Sequence, residues 1–93
     1  MDRPVRVGVV GVGYLGNFHA QIYSKLDGAE LVGVADTDAA RAERVAAQAG
    51  CAAFADPAAL LGKVDAVRVV VPTTMHLDVA RPYLEAGVHM LLE

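Results

Sequence analysis

Three glycines in the pattern Gly11-Val12-Gly13-Tyr14-Leu15-Gly16 follow directly on the β-branched run Val5-Arg6-Val7-Gly8-Val9-Val10 and open onto a segment of helical period. Such glycine spacing is weak evidence alone, because glycine is common in turns. Its setting is what restricts the fold. The run before it suits an interior parallel strand buried on both faces. After it, Leu15, Phe18, His19, Ile22 and Leu26 fall on one stripe of an α-helix that Gly28 ends. Between a strand and a helix, Gly11 permits the tight turn, Gly13 lets a diphosphate approach the backbone, and Gly16 lets the helix pack close to the strand. The helix N-terminus then offers unpaired amides and a partial positive charge to an anion.

An acid stands where such a site needs one. Residues 30–35, Glu-Leu-Val-Gly-Val-Ala, read as a second strand, and Asp36 follows at its end, 20 residues past Gly16. A carboxylate there can accept both hydroxyls of an adenosine ribose. It also repels a 2′-phosphate, and the next residues are Thr37 and Asp38 rather than arginine, so NAD is favoured over NADP. Arg41, one helical turn on, works against that preference. The bland alternative is a βαβ unit whose glycines only turn the chain and whose Asp36 only caps the next helix. Strand, three glycines, helix and acid in register weigh against it.

The rest of the chain continues the alternation. Asp36-Thr37-Asp38 supplies caps for an alanine-rich helix over 39–49, closed by Gly50. Residues 52–54 read as a short edge strand, and Asp56-Pro57 as a helix start. Residues 65–71, Asp-Ala-Val-Arg-Val-Val-Val, carry the strongest strand signal and stop at Pro72. Thr73 or Thr74 can cap a further helix reaching Glu85, with Gly87 at its end, and 88–92 begin a fifth strand. The fold class is therefore α/β: one domain over 1–93, a Rossmann-type, doubly wound parallel sheet of about five strands with helices on both faces. Two residues strain this reading. Pro82 inside the last helix predicts a kink. Arg68 in a central strand must run its stem toward the strand's N-terminal edge to reach water or a carboxylate.

Composition narrows the function classes. Hydrophobic residues are 55% of the chain and charged ones 20%, more apolar than a small domain with one solvated layer needs. The 11 acids and 8 bases give a net charge of −3 without blocks, so no footprint for nucleic acid or an anionic membrane is visible. Glycines break the N-terminal apolar run too early for a signal peptide, and the expected location is cytoplasmic. The single cysteine, Cys51, excludes an intrachain disulfide and a multi-cysteine metal site. No pair of histidines has metal-ligand spacing, and no nucleophile sits beside a base. His19 and His89 read as structural. His76 follows the Pro72 turn at the C-terminal edge of the sheet, where open α/β folds bind ligands.

Four segments together resemble the Gfo/Idh/MocA oxidoreductases: 9–16 with His19-Ala20, then Val34-Ala35-Asp36, then Val71-Pro72-Thr73-Thr74-Met75-His76, and Gly87-Val88-His89-Met90-Leu91-Leu92-Glu93. Generic Rossmann domains lack the last two. The resemblance covers essentially the whole chain. It implies that Tyr14 and Leu15 offer backbone amides to the diphosphate, that Val71, Pro72, Thr73 and His76 border the dinucleotide near its nicotinamide, and that Glu93 faces the cofactor. Within the family, Gly13-Tyr14-Leu15-Gly16 with His19-Ala20, and Val70-Val71-Pro72-Thr73 with His76, look most like dehydrogenases acting on the 3-hydroxyl of UDP-N-acetylglucosamine. The resemblance implies hydride transfer between NAD and a secondary alcohol of a sugar, nucleotide-sugar or cyclitol.

The family's next residues after the position of Glu93 are a catalytic lysine and a proline. The expectation is thus a cofactor-binding fragment with no catalytic residue of its own, lacking the sixth strand and substrate domain and inactive alone. An open edge at 88–92 is expected to drive assembly into a homo-oligomer. Two rivals remain: a nucleotide-sensing or interaction module without catalysis, and a fragment of an S-adenosylmethionine-dependent methyltransferase, which also joins a glycine loop to an acid.

Overall fold

Val9 and Val10 are neighbours, both fully excluded from solvent, and they belong to different hydrophobic clusters. Successive side chains of a strand point to opposite faces, so this strand must be covered on both sides. In the computed structural model, which describes residues 4–71 and 76–92, it is β1 (Val5–Val10), the middle of a parallel sheet. The other strands are β2 (Ala29–Ala35), β3 (Ala52–Phe54), β4 (Ala66–Val69) and β5 (His89–Leu92), in the spatial order β3-β2-β1-β4-β5. The helices are α1 (Tyr14–Lys25), α2 (Ala39–Ala49) and α3 (His76–Glu85).

On one face, Ala20 of α1 and Val45 and Ala46 of α2 pack on Val9 and Val34. On the other, Val79 and Tyr83 of α3 join Leu60 over Val10, Ala35, Val67 and Val69. The chain therefore winds outward from β1 to β3, returns to β4, and winds the other way. This is the doubly wound arrangement expected, and its switch point lies between the C-terminal ends of β1 and β4. No helix among the described residues is long and apolar enough to cross a membrane.

Local chemistry explains the boundaries. Asp38 caps α2 by accepting from the Arg41 amide at 3.1 Å, and Gly50, at φ 75°, closes it in the left-handed conformation. β4 is shorter than the strand expected over 65–71: Val70 makes one last bond to β1, its amide donating to the Val10 carbonyl, and Val70 and Val71 then border the crevice above the sheet. Residues 57–63 form successive turns rather than the helix expected after Asp56-Pro57. Asp56 does accept from the Ala58 amide at 2.9 Å, but the bonds that follow, Leu61 to Ala58 and Lys63 to Leu60, are three-residue ones. Left-handed Gly62, at φ 78°, stops the segment before an α-helical turn can propagate.

The apolar stripe of α1 does not face the sheet. Phe18 and Ile22, and Leu26 just beyond the helix, are exposed, while Gly16 and Ala20 are buried. The small residues form the contact face because the helix must come close: a Cβ on Gly16 would lie 1.8 Å from the Gly11 carbonyl oxygen. His19 lies at the margin of that contact, half-buried with its ring edge-on to Phe18. Arg68, also half-buried, runs toward the C-terminal end of α1, where its Nε donates to the Tyr23 hydroxyl at 3.1 Å and its guanidinium lies 5.8 Å from the ring centre. α3 is helical on both sides of Pro82, whose ring removes the amide that would otherwise bond the Asp78 carbonyl.

Tyr83 locks α3 to the turns beneath it. It is fully buried, and its hydroxyl donates to the Pro57 carbonyl. Burial, with the charge of Asp56 adding to it, pushes the phenol up to about 12 from an ordinary value of 10.0. The folded chain therefore holds this proton where the unfolded chain releases it. Its contribution to stability is complete below pH 10 and is lost as pH rises from 10 toward 12, amounting to roughly 2 to 3 kcal/mol. Urea unfolding at pH 9, 10 and 11 should show that decline in the parent chain and a shallower one in Tyr83→Phe. Equal slopes in the two would assign the alkaline sensitivity to other groups.

Candidate functional site

The crevice at the switch point is built by backbone first. The Gly11 amide donates to the Ala35 carbonyl at 2.7 Å and the Val70 amide to the Val10 carbonyl at 2.7 Å, which ties the ends of β1, β2 and β4 together. Gly11 turns the chain at φ 88° directly against the Val70 carbonyl. Gly13 is the N-cap residue of α1, so no side chain covers the helix start, and the first turn carries no acid. The amides of Tyr14, Leu15 and Gly16 precede the first helical acceptor, the Gly13 carbonyl that receives the Asn17 amide at 2.8 Å. A Cβ on Gly13 would meet only the Arg41 guanidinium, at 3.8 Å, so the space over this loop is open to a ligand.

Asp36 is the one buried acidic residue of the described core. One carboxylate oxygen accepts from the Val12 amide at 2.9 Å and the other from the Asp38 amide at 2.8 Å. Two amides thus hold the group in a fixed orientation, and each oxygen keeps acceptor capacity for a further donor. The structure gives this acid a role that the sequence reading did not name: it pins the glycine loop to the end of β2. It lines a cavity of about 270 Å³ with Gly11, Gly13, Arg41, Val70 and Val71. A larger cavity, about 470 Å³, lies at the opposite end of the sheet between Tyr23, Arg68 and His89. The first is the better candidate for a nucleotide, since in open α/β sheets ligands bind outside the carboxyl ends of the strands.

Of the residues expected at the site, the structure brings Gly11, Gly13, Asp36 and Val71 to one crevice, with Tyr14, Leu15 and Gly16 in the opening turn of α1. His76 is the first residue of α3. Pro72, Thr73 and Glu93 lie outside the described residues. Thr37, Pro57 and Val79 also line the crevice and were not anticipated. Adjacency to Asp36 could have found Thr37. Pro57 and Val79 arrive from the opposite layer, and no local pattern marks them.

The crevice fits a dinucleotide: an uncapped helix start for the diphosphate, a bare glycine edge for its approach, and a fixed carboxylate one loop away. Comparison with known proteins agrees. Residues 5–93 match the family model of oxidoreductases with an NAD-binding Rossmann fold, GFO_IDH_MocA. UDP-N-acetylglucosamine 3-dehydrogenase of Acidithiobacillus ferrooxidans is 51% identical over 89 residues, covering 96% of this chain and 28% of that protein. A solved structure of that enzyme superposes with a TM-score of 0.89 at 49% identity, over 99% of this chain and 30% of the other. The scyllo-inositol dehydrogenase of Lactobacillus casei, solved with NAD(H) and scyllo-inositol bound, gives a TM-score of 0.87 at 28% identity, over 97% and 28%. The chain thus spans under a third of the length of such relatives. It belongs to the Gfo/Idh/MocA oxidoreductase family and folds as its NAD(P)-binding Rossmann domain.

Proposed function

We propose that the crevice binds NAD in preference to NADP, and that the whole protein is a dehydrogenase acting on a secondary alcohol of a sugar, nucleotide-sugar or cyclitol. The observation that carries the first part is Asp36, a buried carboxylate held by two amides at 2.8 and 2.9 Å on the wall that also carries the glycine loop. It accepts the two ribose hydroxyls and repels a 2′-phosphate. The amides of Tyr14, Leu15 and Gly16 take the diphosphate with the positive end of α1 behind them. Gly11 and Val71 close the crevice floor, and by resemblance Pro72, Thr73, His76 and Glu93 border the nicotinamide end. When bound, the nicotinamide supplies the hydride chemistry. The residues of this chain that line the crevice orient it. The substrate class rests on the relatives, whose names specify UDP-N-acetylglucosamine and inositols.

Calorimetric titration of the chain with NAD, NADP and S-adenosylmethionine tests the binding reading. NAD should bind most tightly, NADP more weakly, and S-adenosylmethionine not at all. Binding of S-adenosylmethionine, or of neither dinucleotide, would overturn it.

A further inference from the structure

The crevice has two unlike sides. Asp36 and Thr37 belong to the end of β2 and the turn after it, whereas Pro57 and Val79 come from the turns before β4 and from α3. With the ribose at Asp36, the adenine base that it carries reaches the apolar side, where a flat ring can bury its faces. Val79 is held there by the helix it belongs to. Pro57 has no such support: it opens the run of turns over 57–63 and brings no amide of its own. Asp56 fixes the residues after it, its carboxylate accepting from the Ala58 amide and its carbonyl from the Ala59 amide, both at 2.9 Å. Among the described residues, the bond that reaches Pro57 itself from outside the turns is the one the Tyr83 hydroxyl donates to its carbonyl, across 26 residues of sequence.

Tyr83 follows Val79 by one helical turn, so both lie on the same face of α3. Its ring is fully buried in the cluster that contains Leu60, Val10 and Ala35, and cannot shift without moving that core. One face of one helix therefore supplies Val79 to the crevice and, through a rigid phenol, sets where Pro57 stands beside it. We propose that Tyr83 is a positioning residue for the cofactor: its hydroxyl holds the Pro57 ring at the spacing that admits the adenine base, and acts on the ligand only through Pro57. This rests on the dinucleotide reading of the same crevice. Loss of the hydroxyl leaves the ring packing in place and the Pro57 carbonyl without that donor, so the turn is released while the core stays filled.

The test is calorimetric titration of the chain and its Tyr83→Phe variant with NAD and with inorganic diphosphate, at a temperature where melts show both folded. Diphosphate takes the start of α1 and carries no base. Tyr83→Phe should weaken NAD about fivefold, the factor that corresponds to one ordinary hydrogen bond, and leave diphosphate unchanged. Gly50→Ala, which strains the far end of α2 and lines no part of the crevice, should lower the melting temperature and bind NAD like the unsubstituted chain. Should Tyr83→Phe fail to fold, Pro57→Ala carries the test: it keeps the carbonyl, removes the ring, and should show the same split between the two ligands. Unchanged NAD affinity in the folded variant, an equal loss for NAD and diphosphate, or an equal loss in Gly50→Ala overturns the role of Tyr83 and leaves the dinucleotide reading standing. Failure of the unsubstituted chain to bind NAD removes that reading and this inference together.

Discussion

Gly11→Ala should leave the chain largely unfolded at room temperature. The residue sits at φ 88°, where a side chain costs about 1 to 3 kcal/mol. Its Cβ would also lie 2.1 Å from the Val70 carbonyl oxygen, 2.8 Å from the carbonyl carbon and 2.9 Å from Val71 Cγ1. Two of these three neighbours are backbone of the segment leaving β4, so nothing flexible can give way, and overpacking adds roughly another 1 to 3 kcal/mol. A domain of this size has only about 5 kcal/mol or so to lose. Gly50→Ala is the matched control. Its φ is 75°, but a Cβ there meets nothing within 4 Å. It should cost roughly 1 kcal/mol, a drop of about 4 to 8 °C in melting temperature. Thermal melts followed by far-ultraviolet circular dichroism would show both. If Gly11→Ala melted within a few degrees of Gly50→Ala, the close approach of the glycine turn to β4 would be wrong.

The second large effect is on binding. Asp36→Ala removes the acceptor for the ribose hydroxyls, and hydrogen bonds to a charged group contribute about 1.5 to 3 kcal/mol each. NAD affinity should fall about a hundredfold, which is about 2.7 kcal/mol. NADP should lose far less, because the repulsion of its 2′-phosphate disappears with the carboxylate, so the preference between the two cofactors reverses. The substitution also orphans the Val12 and Asp38 amides, which costs stability of order 2 kcal/mol. Binding should therefore be measured at a temperature where a melt shows the variant folded. Undiminished NAD affinity in a folded variant would remove Asp36 from the ribose site and leave it only as the pin of the glycine loop.

Much of the fold was legible because its signals are local. β1, α2 and β3 fall where β-branched runs, the Asp38 cap and Gly50 place them, since caps and turns act within a few residues of themselves. The glycine turn and Asp36 were legible for the same reason, each being read from its position at a strand end. Three features were not, and each depends on a partner distant in sequence. Which face of α1 packs was decided by how closely Gly16 must approach Gly11, and size alone misled: Phe18 and Ile22 form the more apolar stripe and are the exposed one. Leu60 sits in the core because Gly8 and Gly33 leave space for it: a Cβ on Gly8 would lie 2.6 Å from Leu60 Cδ1, and one on Gly33 3.2 Å from Cδ2. No periodicity in a turn segment announces that. The distance from Arg41 to Asp36 likewise depends on how α2 leaves the end of β2. Residue order therefore set the kinds of element and the chemistry at their ends, while the packing of small residues against backbone set which side chains meet across the crevice.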